Sequence, residues 1–279
     1  MRARWVQEPL MPMKMRHLRE HWVIAGGMPI HYWASAPSGG GNSPALIHLH
    51  GFGISGSYLL PTADLLATDV PTYVPDLPGY GRSTHPEQVY GIPELAQSVI
   101  DFMDALHIER ASLVGNSMGC IVAIETAREA PDRIESMVLV SPAGGSNNRP
   151  IFKGVAQLAL DSFREPLRMY RIAVPDYLRF GLINAGRLFW RMIHYPTVDR
   201  FQETATPALV VIGRRDPLVN EGRIVEGTAA NTLIRVECID DAAHAINYSH
   251  PEVLAEIIRD FLAEHHSQGE RIVVLADIE

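Results

Sequence analysis

Residues 111–127 read Ala-Ser-Leu-Val-Gly-Asn-Ser-Met-Gly-Cys-Ile-Val-Ala-Ile-Glu-Thr-Ala. The first five form a short apolar run suited to a buried strand, and the stretch from Cys120 to Ala127 suits a buried helix. Between them, Gly115-Asn116-Ser117-Met118-Gly119 fits the pattern G-x-S-x-G, which occurs once in the chain. A serine on a strand-to-helix turn, with glycine on either side, is lifted above the sheet because strand and helix can approach closely around it. The helix N-terminus behind it directs backbone N–H groups at developing negative charge. Ser117 is therefore the candidate nucleophile, and the Met118 N–H is a candidate donor to an oxyanion.

Working outward, short apolar runs alternate with helical patterns. Strands are expected at 21–25, 30–35, 45–49, 71–76, 111–115, 134–141, 208–213 and 234–239, the first two around Gly26-Gly27. Helices are expected near 56–68, 93–107, 118–130, 221–230 and 251–264. This alternation predicts a mostly parallel sheet covered on both faces, with an antiparallel edge from the opening hairpin. The tail ERIVVLADIE after Gly269 has strand character. Residues 143–205 carry no convincing strand and read as helical, placed to fold over the C-terminal ends of the strands. The expected organisation is a discontinuous core, 1–142 and 206–279, with a helical cap at 143–205.

His50-Gly51-Phe52-Gly53 follows the strand at 45–49. Acyl transfer needs two preorganised donors, and Phe52 supplies the second candidate N–H, with Gly53 as the alternative. A serine also needs a base. Among 12 histidines, His244 follows the strand at 234–239 and precedes the last long helix, whereas His250 beside Pro251 suits a cap. The acid is expected after the preceding strand, where Asp216 stands in Arg214-Arg215-Asp216-Pro217, with Asp240 and Asp241 as alternatives. It would hold the imidazole tautomer and stabilise the imidazolium. Asn116, inside the turn, is a candidate substrate contact.

Four segments carry a family resemblance: HGFG at 50–53, DLPGYGRS at 76–83, GNSMG at 115–119, and the pair GRRDPLV with DAAHAINYSHP. Over roughly residues 20–265 the chain resembles the α/β-hydrolase fold family of the serine-nucleophile type. The resemblance implies a sheet of about eight strands, a helical lid and a Ser117–Asp216–His244 triad. The GNSMG turn is similar to that of meta-cleavage-product hydrolases, which cut a carbon–carbon bond in dienoate ketoacids. Cys120 and Ala245 stand where those enzymes usually carry glycine and tryptophan. Hydrolysis of a small or medium carboxylic ester through an acyl-serine is the leading expectation. Carbon–carbon hydrolysis and a non-catalytic ligand-binding protein are the alternatives.

Composition bounds the rest. The 279 residues are 47% hydrophobic and 20% charged, with a formal charge of −8. Nucleic-acid binding is not expected of such a charge, and no apolar run is long enough for a membrane span. Two cysteines cannot form a disulfide framework, and a cytoplasmic setting, as monomer or homodimer, is expected. No metal-ligand spacing or cofactor motif is present, so a small-molecule substrate alone is expected. Residues 143–205 hold eight Arg and one Lys against five Asp or Glu, a net of +4, which leaves −12 for the remainder. Arg179, Arg187 and Arg191, near Trp190, are thus candidate partners for a substrate carboxylate.

Overall fold

A computed structural model describes residues 15–36, 44–143 and 148–276. It contains one eight-stranded sheet: β1 (Leu18–Ala25), β2 (Met28–Ser35), β3 (Ala45–Leu49), β4 (Thr72–Pro75), β5 (Ala111–Asn116), β6 (Ile134–Val140), β7 (Ala208–Gly213) and β8 (Ile234–Ile239). Their order is β1-β2-β4-β3-β5-β6-β7-β8. The first two strands pair antiparallel, β2 pairs antiparallel with β4, and the rest are parallel. The opening hairpin turns on Gly26 and Gly27 alone, both at positive φ (54° and 77°), as a two-residue turn of matching twist requires. Pairing therefore reaches Leu18↔Ser35, further than the apolar runs suggest.

Period-two alternation in the central strands splits the core into two layers. Leu113, Leu139 and Val210 face one side, packed with α2 (Ile92–Ala105) and α3 (Met118–Glu129). Val114, Val138 and Val211 face the other, packed with α10 (Pro251–Ala276) and Leu66 of α1 (Leu60–Leu66). Burial on both faces explains why these strands are continuous apolar runs rather than alternating ones. The helical pattern at 56–68 begins with a 3-10 turn at Gly56–Leu59 before α1, and α8 (Glu221–Thr228) links the last two strands.

The tail corrects the sequence reading. Residues 270–276 continue α10 rather than forming a strand; residues 277–279 lie outside the described residues. Extending an existing helix adds a hydrogen bond per residue fixed, without the nucleation cost that a new strand would face.

Among the described residues between β6 and β7 lie four α-helices, α4 (Ile151–Ser162), α5 (Tyr170–Phe180), α6 (Leu182–His194) and α7 (Thr197–Glu203), with a 3-10 turn at Leu167–Met169 before α5. No helix among the described residues is long and apolar enough to cross a membrane. Strand order reverses between β3 and β5, since β4 lies to one side of them and β6 to the other. The crevice beyond the C-terminal ends of these two strands is where open α/β sheets place ligands. Gly51 follows β3 and Ser117 follows β5 at this point.

Candidate functional site

Ser117 sits between β5 and α3 with φ 56° and ψ −116°, a region that non-glycine residues avoid. The strain is held by close packing. A Cβ on Gly115 would collide with the backbone of Gly119, and one on Gly119 with the carbonyl of Leu49. Only glycine at both positions lets strand, turn and helix close around the serine. Met118 is the first residue of α3, where backbone N–H groups have no intrahelical acceptor. Cys120 is fully buried, its Sγ donating to the Gly115 and Val140 carbonyls at 3.2 Å, and it acts as a core residue.

His244 lies on the loop after β8, before the short helix α9 (Ile246–Ser249). Its Nδ1 is 2.7 Å from Asp216 Oδ2. The other Asp216 oxygen accepts the Leu218 N–H at 2.7 Å, which fixes the carboxylate on its own turn. Asp240 and Asp241 are exposed and pair with Arg214 and His250, so of the three acids only Asp216 meets the imidazole. His250 accepts the Leu254 N–H through its carbonyl at the start of α10, as a cap residue does.

Ser117, His244, Asn116, Gly51 and Phe52 line one cavity, to which side chains of α4, α5 and α6 also contribute. This part of the lining is mostly apolar, with Leu158, Met169, Ala173, Phe189 and Met192 among its residues. Phe52 itself packs edge-on against Tyr177 and Phe180. Gly53, at φ 72°, turns the chain away behind it.

Asn116 is spent on holding the site together. Its Oδ1 accepts the Tyr58 hydroxyl at 2.6 Å, and its Nδ2 donates to the carbonyls of Val140 (3.1 Å) and His244 (3.2 Å). Tyr58 Oη in turn accepts the Gly51 N–H at 2.8 Å. One buried hydroxyl thus ties the loop after β3 to the turn after β5. Nothing in the local sequence marks Tyr58, because its partners are 7 and 58 positions away.

A second feature hidden from the sequence is acidic. Asp161 at the end of α4 and Glu165 just after it are buried in the same cavity. Asp161 Oδ1 accepts the His244 N–H at 3.3 Å, and Glu165 Oε1 accepts the Ala245 N–H at 2.7 Å. Asp176 of α5 accepts the Ser55 N–H at 2.8 Å. Burial raises the Glu165 carboxyl to about 7, against the lowering effect of the Ala245 N–H and with Asp161 adding to the rise. Burial alone would push His244 down. Asp216, then Asp161 and Glu165, outweigh it and raise the imidazole to about 9.

The arginines expected in the pocket are elsewhere. Arg179 is exposed and lies 3.7 Å from Asp176. Arg187 and Arg191 line a separate surface hollow with Glu87 and Gln88. Trp190 is exposed, its ring in tilted contact with that of His194. The physical reason is the rotation of α6, which turns Leu188, Met192 and Ile193 into the protein and the basic face outward. Desolvating a guanidinium without a bound partner would cost far more than leaving it in water.

The chain matches the alpha/beta hydrolase family over residues 46–257. The chain belongs to this family. It is a hydrolase, and the fold read from its motifs is the fold observed. Among curated relatives, the dihydrolipoyllysine-residue acetyltransferase component of the acetoin cleaving system of Pseudomonas putida is 26% identical over 246 residues, 81% of this chain. This chain spans only 65% of that relative's length. The pimeloyl-[acyl-carrier protein] methyl ester esterase of Aeromonas salmonicida is 26% identical over 251 residues, 80% of this chain and 96% of that protein. Among solved structures, a membrane phospholipase A described as a bacterial virulence factor superposes with a TM-score of 0.77 at 23% identity, covering 90% of this chain and 87% of the other. At that identity the likeness concerns the fold alone.

Proposed function

We propose that this hydrolase cleaves small or medium, uncharged carboxylic esters through an acyl-serine intermediate, under a lid formed by α4, α5 and α6. The observation that carries the reading is a strained serine and a carboxylate-held imidazole opening into one apolar cavity. A methyl ester esterase among the relatives supports it.

In the proposed reaction Ser117 Oγ attacks the ester carbonyl while His244 Nε2 takes its proton. The Nδ1–H of His244 donates to Asp216, which fixes the tautomer and stabilises the imidazolium. The N–H groups of Met118 and Phe52 receive the oxyanion. The imidazolium then returns its proton to the departing alkoxide, the alcohol leaves, and water activated by the same imidazole hydrolyses the acyl-serine. Asn116 and Tyr58 act as positioning residues, since their polar atoms are engaged with the protein.

Carbon–carbon hydrolysis of a dienoate ketoacid would use the same three residues. The pocket lining includes the buried acids Asp161 and Glu165 and no arginine among the described residues, a poor match for a dicarboxylate-like dienoate, so the ester reading is preferred. A ligand-binding protein without turnover has no use for a strained serine beside a matched base.

The test is hydrolysis of p-nitrophenyl esters of graded acyl length beside one meta-cleavage dienoate, by wild type and Ser117→Ala, with fluorophosphonate labelling. The expected result is turnover and labelling of the wild type with esters, both lost in the variant. A strong preference for the dienoate, or neither turnover nor label, overturns the proposal.

A further inference from the structure

From Arg149 to Arg179, every exposed residue is apolar, Tyr170, or cationic. The helix α4 turns Gln157 and Asp161 toward the core loops, where Gln157 donates to the Pro217 carbonyl and Asp161 accepts from His244. Its outer face carries Phe152, Val155 and Leu160 instead, so the usual amphipathic order is inverted. The exposures are large: Phe152 73%, Phe163 86%, Leu167 85% and Leu178 78%. The charges are sorted in the same way. Asp161, Glu165 and Asp176 are all buried, while Arg164, Arg168, Arg171 and Arg179 are all exposed.

We propose that the outer face of α4 and α5 docks on an anionic lipid surface. Bulky apolar side chains interleaved with arginines, without exposed carboxylates, suit insertion at the boundary between acyl chains and negative headgroups. A protein partner is a poorer match. Its interface would use both donors and acceptors, and this face presents arginine donors but no exposed carboxylate, amide or Ser/Thr hydroxyl side chain. A symmetric contact between two copies would set arginines against arginines. The rest of the chain carries −12 against the +4 of residues 143–205, which turns this face toward a negative surface at long range. The opposite faces of the same elements, through Leu158, Met169 and Ala173, roof the apolar cavity, so the docking face and the cavity are the two sides of one thin layer.

The experiment is flotation of the full chain with vesicles of phosphatidylcholine alone and of phosphatidylcholine mixed with phosphatidylglycerol, at low and high salt. The variants are Phe152→Ser/Phe163→Ser and Arg168→Glu/Arg171→Glu. Binding is expected only to the anionic vesicles, weakened by salt, and reduced about ten-fold or more by each double variant. Both variants should keep the wild-type circular dichroism and fluorophosphonate labelling, since none of the four residues lines the cavity. No binding to anionic vesicles, binding that ignores both variants, or self-association of the wild type that both variants abolish would overturn the proposal. The last outcome would make the face a contact between copies.

Discussion

Glu165 accepts a hydrogen bond from the backbone N–H of Ala245 at 2.7 Å, across 80 positions of sequence, one residue beyond His244. The insertion between β6 and β7 thereby holds the loop that carries the imidazole and adds negative potential beside it. General-base action requires the neutral imidazole. For a neutral ester, kcat/KM should therefore rise with pH through a midpoint near 9. Glu165→Gln keeps an acceptor for Ala245 and removes the charge, so the midpoint should move toward acid. Asp161→Asn should move it the same way. Unchanged pH–rate profiles in both variants would disconnect these acids from His244.

Protein stability should respond to pH with a definite sign. Glu165 is raised from the ordinary carboxyl range to about 7, and His244 from 6.5 to about 9. Both groups bind protons more tightly in the folded protein, so each favours the folded state at low pH and loses that contribution as pH rises, Glu165 through 7 and His244 through 9. Buried His48 and His50 act in the opposite sense: burial lowers both, so their contribution grows as pH rises to 6.5. Thermal melts from pH 7 to 9 should therefore show a falling Tm, and between pH 5 and 7 the wild-type Tm should fall relative to that of Glu165→Gln. A Tm that climbs from pH 7 to 9 would contradict the electrostatics of the cavity.

Asp216→Asn leaves a group of the same size but no charge to favour the imidazolium, and it permits the wrong tautomer. A fall in kcat of about 10³–10⁴ with little change in KM is expected. The readout is steady-state kinetics on the best ester, and a loss under ten-fold would point to another acid.

Gly119→Ala should destabilise the fold by about 1–3 kcal/mol, because the new methyl meets the Leu49 carbonyl, a backbone atom that cannot step aside. Gly186 in α6 has open space around its Cβ position and no positive φ. Gly186→Ala should stabilise by about 0.4–1 kcal/mol. Denaturant unfolding measures both, and their opposite signs separate crowding at the turn from a general cost of removing glycine.

Much of this was legible in the sequence because it depends on local pattern. The strands β3, β7 and β8 lie where apolar runs between turn residues place them. The glycines around Ser117 announce a turn whose crowding the structure shows in full. His244 and Asp216 were read from their place after successive strands, and they meet. What was not legible depends on rotation and on long-range pairing. Arg187, Arg191 and His194 recur at helical spacing away from Leu188 and Met192, but the sequence does not say whether the cavity or the solvent lies on that stripe's side. Nothing in the local sequence marks Asp161 and Glu165, and only their partners 83 and 80 positions away explain their burial. The hydroxyl of Tyr58 was equally silent for the same reason.

That hydroxyl gives a further outcome. Tyr58→Phe removes the bridge between the Gly51 N–H and Asn116 Oδ1 and leaves two buried polar groups without it. A loss of about 1–3 kcal/mol of stability is expected. A drop in kcat larger than the change in KM should accompany it, because the loop carrying the Phe52 N–H loses its tie to the turn carrying Ser117. Denaturation and kinetics on the same sample check the pair.

The link from Val140 at the end of β6 to Ala208 at the start of β7 has more chain than its task demands. A parallel crossover needs only a dozen or so residues, and α7 with its flanking loops is enough to lead the chain back to β7. The helices α4 to α6 are surplus to the sheet. They can lengthen, shorten or be exchanged between descendants of this gene while β5, β7 and β8 keep holding Ser117, Asp216 and His244 in place, provided that acceptors for the His244 and Ala245 N–H groups, here Asp161 and Glu165, are kept. Preference for a new compound can therefore drift quickly in one part of the chain while the reactive framework stays under its own, slower selection.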